Sequence, residues 1–320
     1  MLASVIDTVL DRTIIGGYTN VGYQVRRRAW DGDALRPMDG KLAVVTGATS
    51  GLGLAAAESF ARLGATVCVV ARDPERGERS RAQVSALATG APAELQLCDL
   101  AELDSVRALA GRLLERHAGV DVLVNNAGVM APERTSSPDG IELAFAVNVV
   151  APFLLTARLL PGLRSAAPSR VINVSSGGMY SQRLPAEDLQ NQQGEYQPPA
   201  VYSRTKRAEV ILTELWAQRL AGTGIVVNSM HPGWADTPGV TASLPRFAKL
   251  TKPLLRTPEQ GADTIVWLGA ADEPATISGG FWHDRRRRPT HLLPRTRETA
   301  ADRDTLWREC ERLSGATVDL

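Results

Sequence analysis

Cysteine is scarce in this chain: Cys68, Cys98 and Cys310 are the three in 320 residues. So few, spaced so widely, exclude a disulfide framework and a cysteine-built metal centre, and no metal site is expected. Cys68 lies in an apolar strand-like run and Cys98 ends another, so both read as small core residues. A reducing, cytoplasmic compartment is the expectation. An excess of one charge is also missing, with Lys and Arg numbering 36 against 35 Asp and Glu. That balance excludes a general nucleic-acid binder. No stretch reaches 18 uninterrupted apolar residues; the nearest, Leu143 to Ala157, is broken by Asn148 and Pro152 and reads as too short to span a bilayer. The start carries Asp7, Asp11 and Arg12, with neither a basic opening nor a small-residue cleavage site, so a secretory signal is not expected.

What is present points to one large α/β domain with extensions. At this length about three quarters of the unfolded surface can be buried, and no staple is needed. Residues 1–39 read as an N-terminal extension: Leu2, Val5, Ile6, Val9 and Leu10 recur at helical spacing, followed by Gly16-Gly17-Tyr18, Gly22-Tyr23 and Arg26-Arg27-Arg28-Ala29-Trp30. The stripe and the arginines have the composition of a segment resting on a lipid surface. Packing on its own domain or on a partner subunit is the expected reading, so peripheral membrane contact through residues 1–30 is not favoured.

From Lys41 short β-branched runs (Leu42–Thr46, Thr66–Val70, Glu94–Cys98, Val122–Val124, Arg170–Val174, Ile225–Asn228) alternate with helical segments such as Leu54–Leu63 and Asp104–His117. This alternation predicts a Rossmann-type doubly wound parallel sheet of about seven strands over residues 40–284, with helices on both faces. Such sheets bind ligands beyond the carboxyl ends of their strands. A tail, residues 285–320, holds Arg285–Arg288, read as a solvated run, and an amphipathic helix over Ala300–Leu313.

Two local patterns carry chemistry. Thr46-Gly47-Ala48-Thr49-Ser50-Gly51-Leu52-Gly53 falls where a strand ends and a helix begins, so a bare backbone can approach a pyrophosphate at a helix N-terminus. The following strand ends at Ala71 with Arg72 next. An Arg there suits a ribose 2′-phosphate, whereas Asp73 lies one residue too far for a 2′-hydroxyl and reads as a turn residue before Pro74; NADP(H) is therefore favoured over NAD(H). Second, Tyr202 and Lys206 stand four apart on a predicted helix, about 5–6 Å apart at Cβ. Of the tyrosines (Tyr18, Tyr23, Tyr180, Tyr196, Tyr202), this one alone has Lys at the fourth position after it. The ammonium is expected to lower the phenol pKa toward working pH and suit Tyr202 to proton transfer.

Together these patterns resemble the short-chain dehydrogenase/reductase family, over about Gly40 to Trp282. Thr46–Gly53 is similar to its glycine motif, Asp99-Leu100 to its adenine-contacting pair, and Asn125-Asn126-Ala127-Gly128 to its N-N-A-G motif. Pro232-Gly233-Trp234 with Thr237 is similar to the loop that closes over the nicotinamide. The runs Val174–Met179, Met230–Gly239 and Gln260–Thr264, with the Gly-Tyr-rich extension, narrow the likeness to one subgroup. The resemblance implies that Gly47, Thr49, Ser50, Gly51, Leu52, Gly53, Arg72, Asp99, Leu100, Asn125, Ala127, Gly128, Pro232, Gly233, Trp234 and Thr237 line the cofactor. It further implies a catalytic set of Asn148, Ser176, Tyr202 and Lys206. Ser176 would hold the substrate oxygen, Tyr202 would be general acid or base, Lys206 would grip the nicotinamide ribose, and Asn148 would anchor a relaying water. Ser175 is the rival to Ser176; the family generally uses the second serine of such a pair.

Ser176 and Tyr202 are 26 positions apart, against about a dozen in the commonest members. The extra residues, Tyr180 to Pro199, read as a loop or flap lining the substrate site. Trp234 to Pro258 resembles the mobile substrate loop, and Val240, Leu244, Phe247 and Leu250 there suggest a small to medium hydrophobic substrate. The expected activity is NADP(H)-dependent carbonyl–alcohol interconversion on a small molecule. Homo-oligomers through the helix carrying Tyr202 and Lys206 are common among relatives. Two other classes compete: a non-catalytic NADP(H)-binding scaffold, and a serine hydrolase using Ser176, Asp236 and His283, which lacks any G-x-S-x-G turn.

Overall fold

The computed structural model describes residues 10, 13–30, 35–236, 249 and 251–318. One eight-stranded sheet organises them, in the order β3-β2-β1-β4-β5-β6-β7-β8. The strands are β1 (Leu42–Thr46), β2 (Thr66–Ala71), β3 (Glu94–Leu97), β4 (Val122–Asn125), β5 (Ser169–Val174), β6 (Ile225–Met230), β7 (Phe281–His283) and β8 (Arg286–Arg288). All neighbours are parallel except β7 and β8. The winding reverses between β1 and β4, and that switch point opens the crevice where such sheets take ligands.

The expected seven strands are there; the eighth comes from the arginine run. Asp284 and Arg285 both take left-handed backbone, at φ 51° and 57°, turning the chain so that Arg286–Arg288 pairs back on β7. Such two-residue turns favour glycine, Asn or Asp. Here Asp284 is held in place by ion pairs to Arg26 and Arg256. The run is therefore not simply solvated: Arg288 is buried, and Arg285 pairs with Asp263 and lies 4.4 Å over the Trp30 ring.

The strands are near-continuous Val, Ile and Leu because helices cover both faces. Alternate side chains feed two cores. Val44 and Cys68 join Leu109, Phe145, Leu154, Trp216 and Trp307 on one side. Ala43, Val45, Val67 and Val69 join Phe60, Trp267 and Trp282 on the other. On the first side the C-terminal helix, Ala300–Ser314, docks through a Phe153, Trp216 and Trp307 cluster with ring centroids 4.8–5.2 Å apart.

The apolar segment beginning at Leu143 runs on to Ser165, well past Ala157, as one 23-residue helix. By length and composition it could cross a membrane. Within this fold 72% of its apolar window is buried, so burial against the sheet accounts for its composition.

Candidate active site

The glycine turn follows β1 and leads into helix Gly51–Arg62. Gly47 and Gly51 take left-handed backbone, at φ 65° and 54°. A Cβ on Gly47 would lie 2.9 Å from Ala127 Cα, and one on Gly53 would collide with Asn126 Nδ2 and the Gly47 carbonyl. The turn is thus glycine-rich because the loop after β4 lies directly against it. Asn126, absent from the expected cofactor set, locks the two loops: its Nδ2 donates to Thr46 O at 2.9 Å, and its backbone N–H donates to Thr46 Oγ1 at 3.0 Å. Asn125 points the other way, donating to Asn173 Oδ1 (2.9 Å) and Thr156 Oγ1 (3.3 Å) inside the fold. Its side chain thus joins β4 to β5 and to the helix carrying Thr156.

Ser50 makes no side-chain cap to helix Gly51–Arg62, so the first-turn N–H groups stay open to an anion. Thr49 and Leu52 sit in the same turn, and Leu52 packs against helix Pro258–Ala270 at Gly261, where a Cβ would force the leucine side chain to shift. At the end of β2, Arg72 is exposed and has no partner among the described residues. Asp73 is engaged, accepting the Arg76 N–H at 2.8 Å as N-cap of helix Pro74–Ser85. Asp99 accepts the Ala101 N–H at 2.9 Å, with Leu100 buried beside it. A bare glycine surface and an open helix N-terminus fit the diphosphate of a nicotinamide dinucleotide.

The second half of the site hangs on helix Pro198–Arg219, which carries both Tyr202 and Lys206. Lys206 Nζ lies 5.5 Å from the Tyr202 ring centroid. The ammonium promotes ionisation less than expected: burial pushes the Tyr202 phenol up, Lys206 pulls it down, and the Glu209 carboxylate raises it further. That corrects the expectation of a lowered pKa, because the sequence reading counted Lys206 and missed both burial and Glu209. Lys206 Nζ donates to Glu209 Oε1 at 2.6 Å and to the Val174 carbonyl at 2.9 Å. Glu209 Oε2 has no hydrogen-bond partner among the described residues, and burial pushes this carboxyl up to about 7, with Lys206 opposing.

Asn148 sits in a π-helical turn, Ala146–Val150, inside the long apolar helix; such turns gather at functional positions. Its Oδ1 accepts the Val129 N–H (2.8 Å), and its Nδ2 donates to Val129 O and to Thr205 Oγ1 (both 2.9 Å). Asn148 therefore ties the loop after β4 to the Tyr202 helix. Gly128 faces both groups: a Cβ there would meet Lys206 Nζ at 3.3 Å and Asn148 Oδ1 at 3.4 Å. The two serines after β5 separate cleanly. Ser175 is buried and donates to the Lys206 carbonyl at 2.8 Å, whereas Ser176 is half-exposed and accepts from the Gly178 N–H. Asn148, Ser176, Tyr202 and Lys206 thus border one end of the sheet.

The Pro232-Gly233-Trp234 loop follows β6. Gly233 takes φ 75°, and a Cβ there would strike Arg256 Nε at 2.6 Å and Tyr18 O at 2.7 Å. The Trp234 N–H donates to Tyr18 O at 2.8 Å. Arg256 is fully buried, bonding Asp284 at 2.6 Å and donating to the Gly17, Tyr18 and Pro232 carbonyls. The N-terminal segment, with helix Asn20–Arg27, therefore packs on its own domain. Arg26 is sealed against Asp284 at 2.8 Å, which removes it from any lipid-facing cluster. His283 is buried, its ring nitrogens against His231 O and Gly17 O at 3.1 Å, which commits it to this latch. Thr237, Val240, Leu244, Phe247 and Leu250 lie outside the described residues.

The long insert is irregular yet pinned. Tyr180 donates to Pro289 O (2.7 Å), Arg134 Nε to Asn191 O (3.0 Å), and Tyr196 to Glu142 Oε1 (3.0 Å). Leu184 and Leu189 enter the main core.

Tyr18, Asn126, Glu209, Arg256 and Asp284 escaped the sequence reading. Asn126 lay inside the N-N-A-G run, and Glu209 was readable as an i,i+3 partner of Lys206. Tyr18 meets Arg256 across 238 positions and Arg256 meets Asp284 across 28, so none of the three leaves a local signal.

Comparison with known proteins agrees with this architecture. A family model described as short chain dehydrogenase matches residues 41–246. Dehydrogenase/reductase SDR family member 12 of Bos taurus is 38% identical over 300 residues, covering 93% of this chain and 94% of that protein. Human retinol dehydrogenase 13 is 34% identical, over 86% of this chain and 85% of its own. Among solved structures, the Pseudomonas aeruginosa RhlG/NADP active-site complex superposes with a TM-score of 0.64 at 27% identity, over 77% of this chain and 96% of that one. The chain belongs to the short-chain dehydrogenase/reductase family, close to family member 12.

Proposed function

We propose that the protein is an NADP(H)-dependent oxidoreductase that interconverts a carbonyl and an alcohol. The observation that carries this is the Tyr202 and Lys206 pair, on one helix face, bordered by Ser176 and tied through Thr205 to Asn148. Tyr202 would give a proton to, or take one from, the substrate oxygen, with Ser176 Oγ holding that oxygen by a hydrogen bond. Lys206 biases the phenol toward its ionised form and would grip the ribose, and Asn148 keeps the loop and the helix in register. Gly47, Gly51, Gly53 and the helix N-terminus would hold the diphosphate, with Asp99 and Leu100 at the adenine and Pro232–Trp234 at the nicotinamide. The cofactor, when bound, supplies or accepts the hydride. Preference for NADP(H) is supported by the unpartnered Arg72 and by the commitment of Asp73 to a helix cap.

A small to medium hydrophobic substrate is supported by Trp234 in the closing loop and by one relative's name, which refers to retinol, an apolar alcohol. Three buried free thiols support a reducing, cytoplasmic setting. Tyr202→Phe is expected to cut turnover by about 10²–10⁴-fold while leaving NADPH binding nearly intact by fluorescence titration. Unchanged turnover overturns the mechanism, and a clear NADH preference overturns the role of Arg72. The Glu209 carboxylate on Lys206 favours one other reading, a non-catalytic NADP(H)-binding scaffold. Tight NADPH binding with no turnover across a panel of aldehydes, ketones and alcohols would select it.

A further inference from the structure

Tyr18 belongs to the N-terminal extension, more than 150 positions before Ser176, yet it packs beside it. Its ring packs on the bare face of Gly177: a Cβ there would meet Tyr18 Cε2 at 2.5 Å and its hydroxyl at 3.2 Å. Gly177 is the residue after Ser176. On its other side the ring lies 4.7 Å from His231 and 6.2 Å from Trp234, centroid to centroid. Tyr18 therefore bridges the loops that leave the carboxyl ends of the adjacent strands β5 and β6, where such sheets bind substrate. It is held there by main-chain bonds, its carbonyl accepting from the Trp234 N–H and from Arg256 Nε at 3.0 Å. The buried Arg26–Asp284 ion pair fixes the segment after Tyr18, and Arg26 and Arg256 both donate to the Gly17 carbonyl just before it. Tyr18 and Trp234 are both only partly buried. His231 behind them stays neutral, since burial and nearby cations push its pKa well below 6.5.

We infer that Tyr18 is a specificity-determining residue: the N-terminal extension supplies an aromatic wall of the substrate cleft beside Ser176. The wall selects apolar carbonyl compounds by the bulk they carry next to the reacting carbon. This deepens the reductase reading and rests on it for the identity of the substrate. The wall itself is a matter of geometry and can be tested without turnover.

Two arms test it. In the first, Ser176→Cys places a reporter thiol in a protein whose own three cysteines are buried. Adding Tyr18→Ala is expected to speed labelling by N-phenylmaleimide about tenfold and labelling by methyl methanethiosulfonate by less than about threefold, the discrimination a shaped apolar wall provides. Adding Tyr18→Trp, which keeps the ring packing, is expected to slow the phenyl reagent. Equal effects on both reagents, or none, overturn the wall. In the second arm, Tyr18→Ala in the otherwise natural chain is expected to shift the kcat/KM ratio of a bulky aryl ketone over a short aliphatic aldehyde by about tenfold. Tyr18→Phe should keep the natural ratio, and NADPH affinity should hold within about twofold in both. A proportional fall for every substrate assigns Tyr18 to structure alone. If the natural chain turns over nothing, the reductase reading fails, and the thiol arm still decides Tyr18.

Discussion

Glu209 grips the Lys206 ammonium with both side chains all but sealed from water, at 3% and 6% exposure. Its charge works against the proton chemistry of Tyr202, since a carboxylate nearby raises a phenol pKa while the ammonium lowers it. Burial has pushed the Glu209 carboxyl up to about 7. Protonation as the pH falls through that value therefore leaves Lys206 acting on Tyr202 unopposed. Glu209→Gln imitates the protonated form at every pH. The variant is expected to move the ascending limb of kcat/KM for alcohol oxidation, where Tyr202 must ionise to act as base, down by about one pH unit. A pH–rate profile measures this, and an unmoved limb assigns Glu209 to structure only.

At the scale of elements, the glycine turn and the loop after β4 behave as one interlocked part. Gly53→Ala would drive a methyl into Asn126 and Gly47. It is expected to cost about 1–3 kcal/mol of stability and to weaken NADPH binding. Gly111, on the exposed face of helix Leu103–Arg116, has open space at its Cβ, so Gly111→Ala is expected to stabilise by about 0.5–1 kcal/mol. Paired thermal melts check both signs; equal behaviour would refute the packing argument. The same elements set the limits of the sequence reading. Strands β1 to β6 were legible because strands covered on both faces are written as short Val- and Ile-rich runs. The eighth strand was not, because three arginines carry no strand pattern and their turn depends on Asp284, held by residues far away. Tyr202, Lys206 and the glycine turn were legible because each is a local spacing. The raised phenol was hidden, because burial is a property of the assembled fold.

Across the whole molecule, the N-terminal segment, the loop at Arg256 and the β7–β8 turn close around a buried charged knot. His231 and His283 stack there with ring centroids 3.8 Å apart. Burial pushes His283 down to about 3 and His231 well below 6.5. Unfolded histidines take protons near 6.5 while these stay neutral, so the unfolded state binds more protons over that interval. Stability is expected to fall as pH drops from about 6.5 toward 3, by up to about 1.4 kcal/mol per pH unit for each histidine. Glu209, raised, works in the opposite sense between its ordinary value and about 7, and offsets one histidine of the two. Asp284, held below the usual carboxylate range mainly by His283 and Arg256 against the cost of burial, adds its own loss at more acid pH. Thermal melts at pH 7.5 and 5.5 test this. The natural chain should lose more than His283→Gln, and a flat profile would contradict the argument.

The ion pair between Arg26 and Asp284 also has a consequence in time. Its members are 258 positions apart, and Arg256 comes almost as late. At roughly 5–20 residues per second of synthesis, the segment bearing Tyr18 leaves the ribosome tens of seconds before its docking partners exist. The nucleotide half, from Leu42 to Asn125, waits as well, because Val45 and Phe60 share their core with Trp267 and Trp282. One of the earliest stretches of chain to be made is thus among the last to find its place.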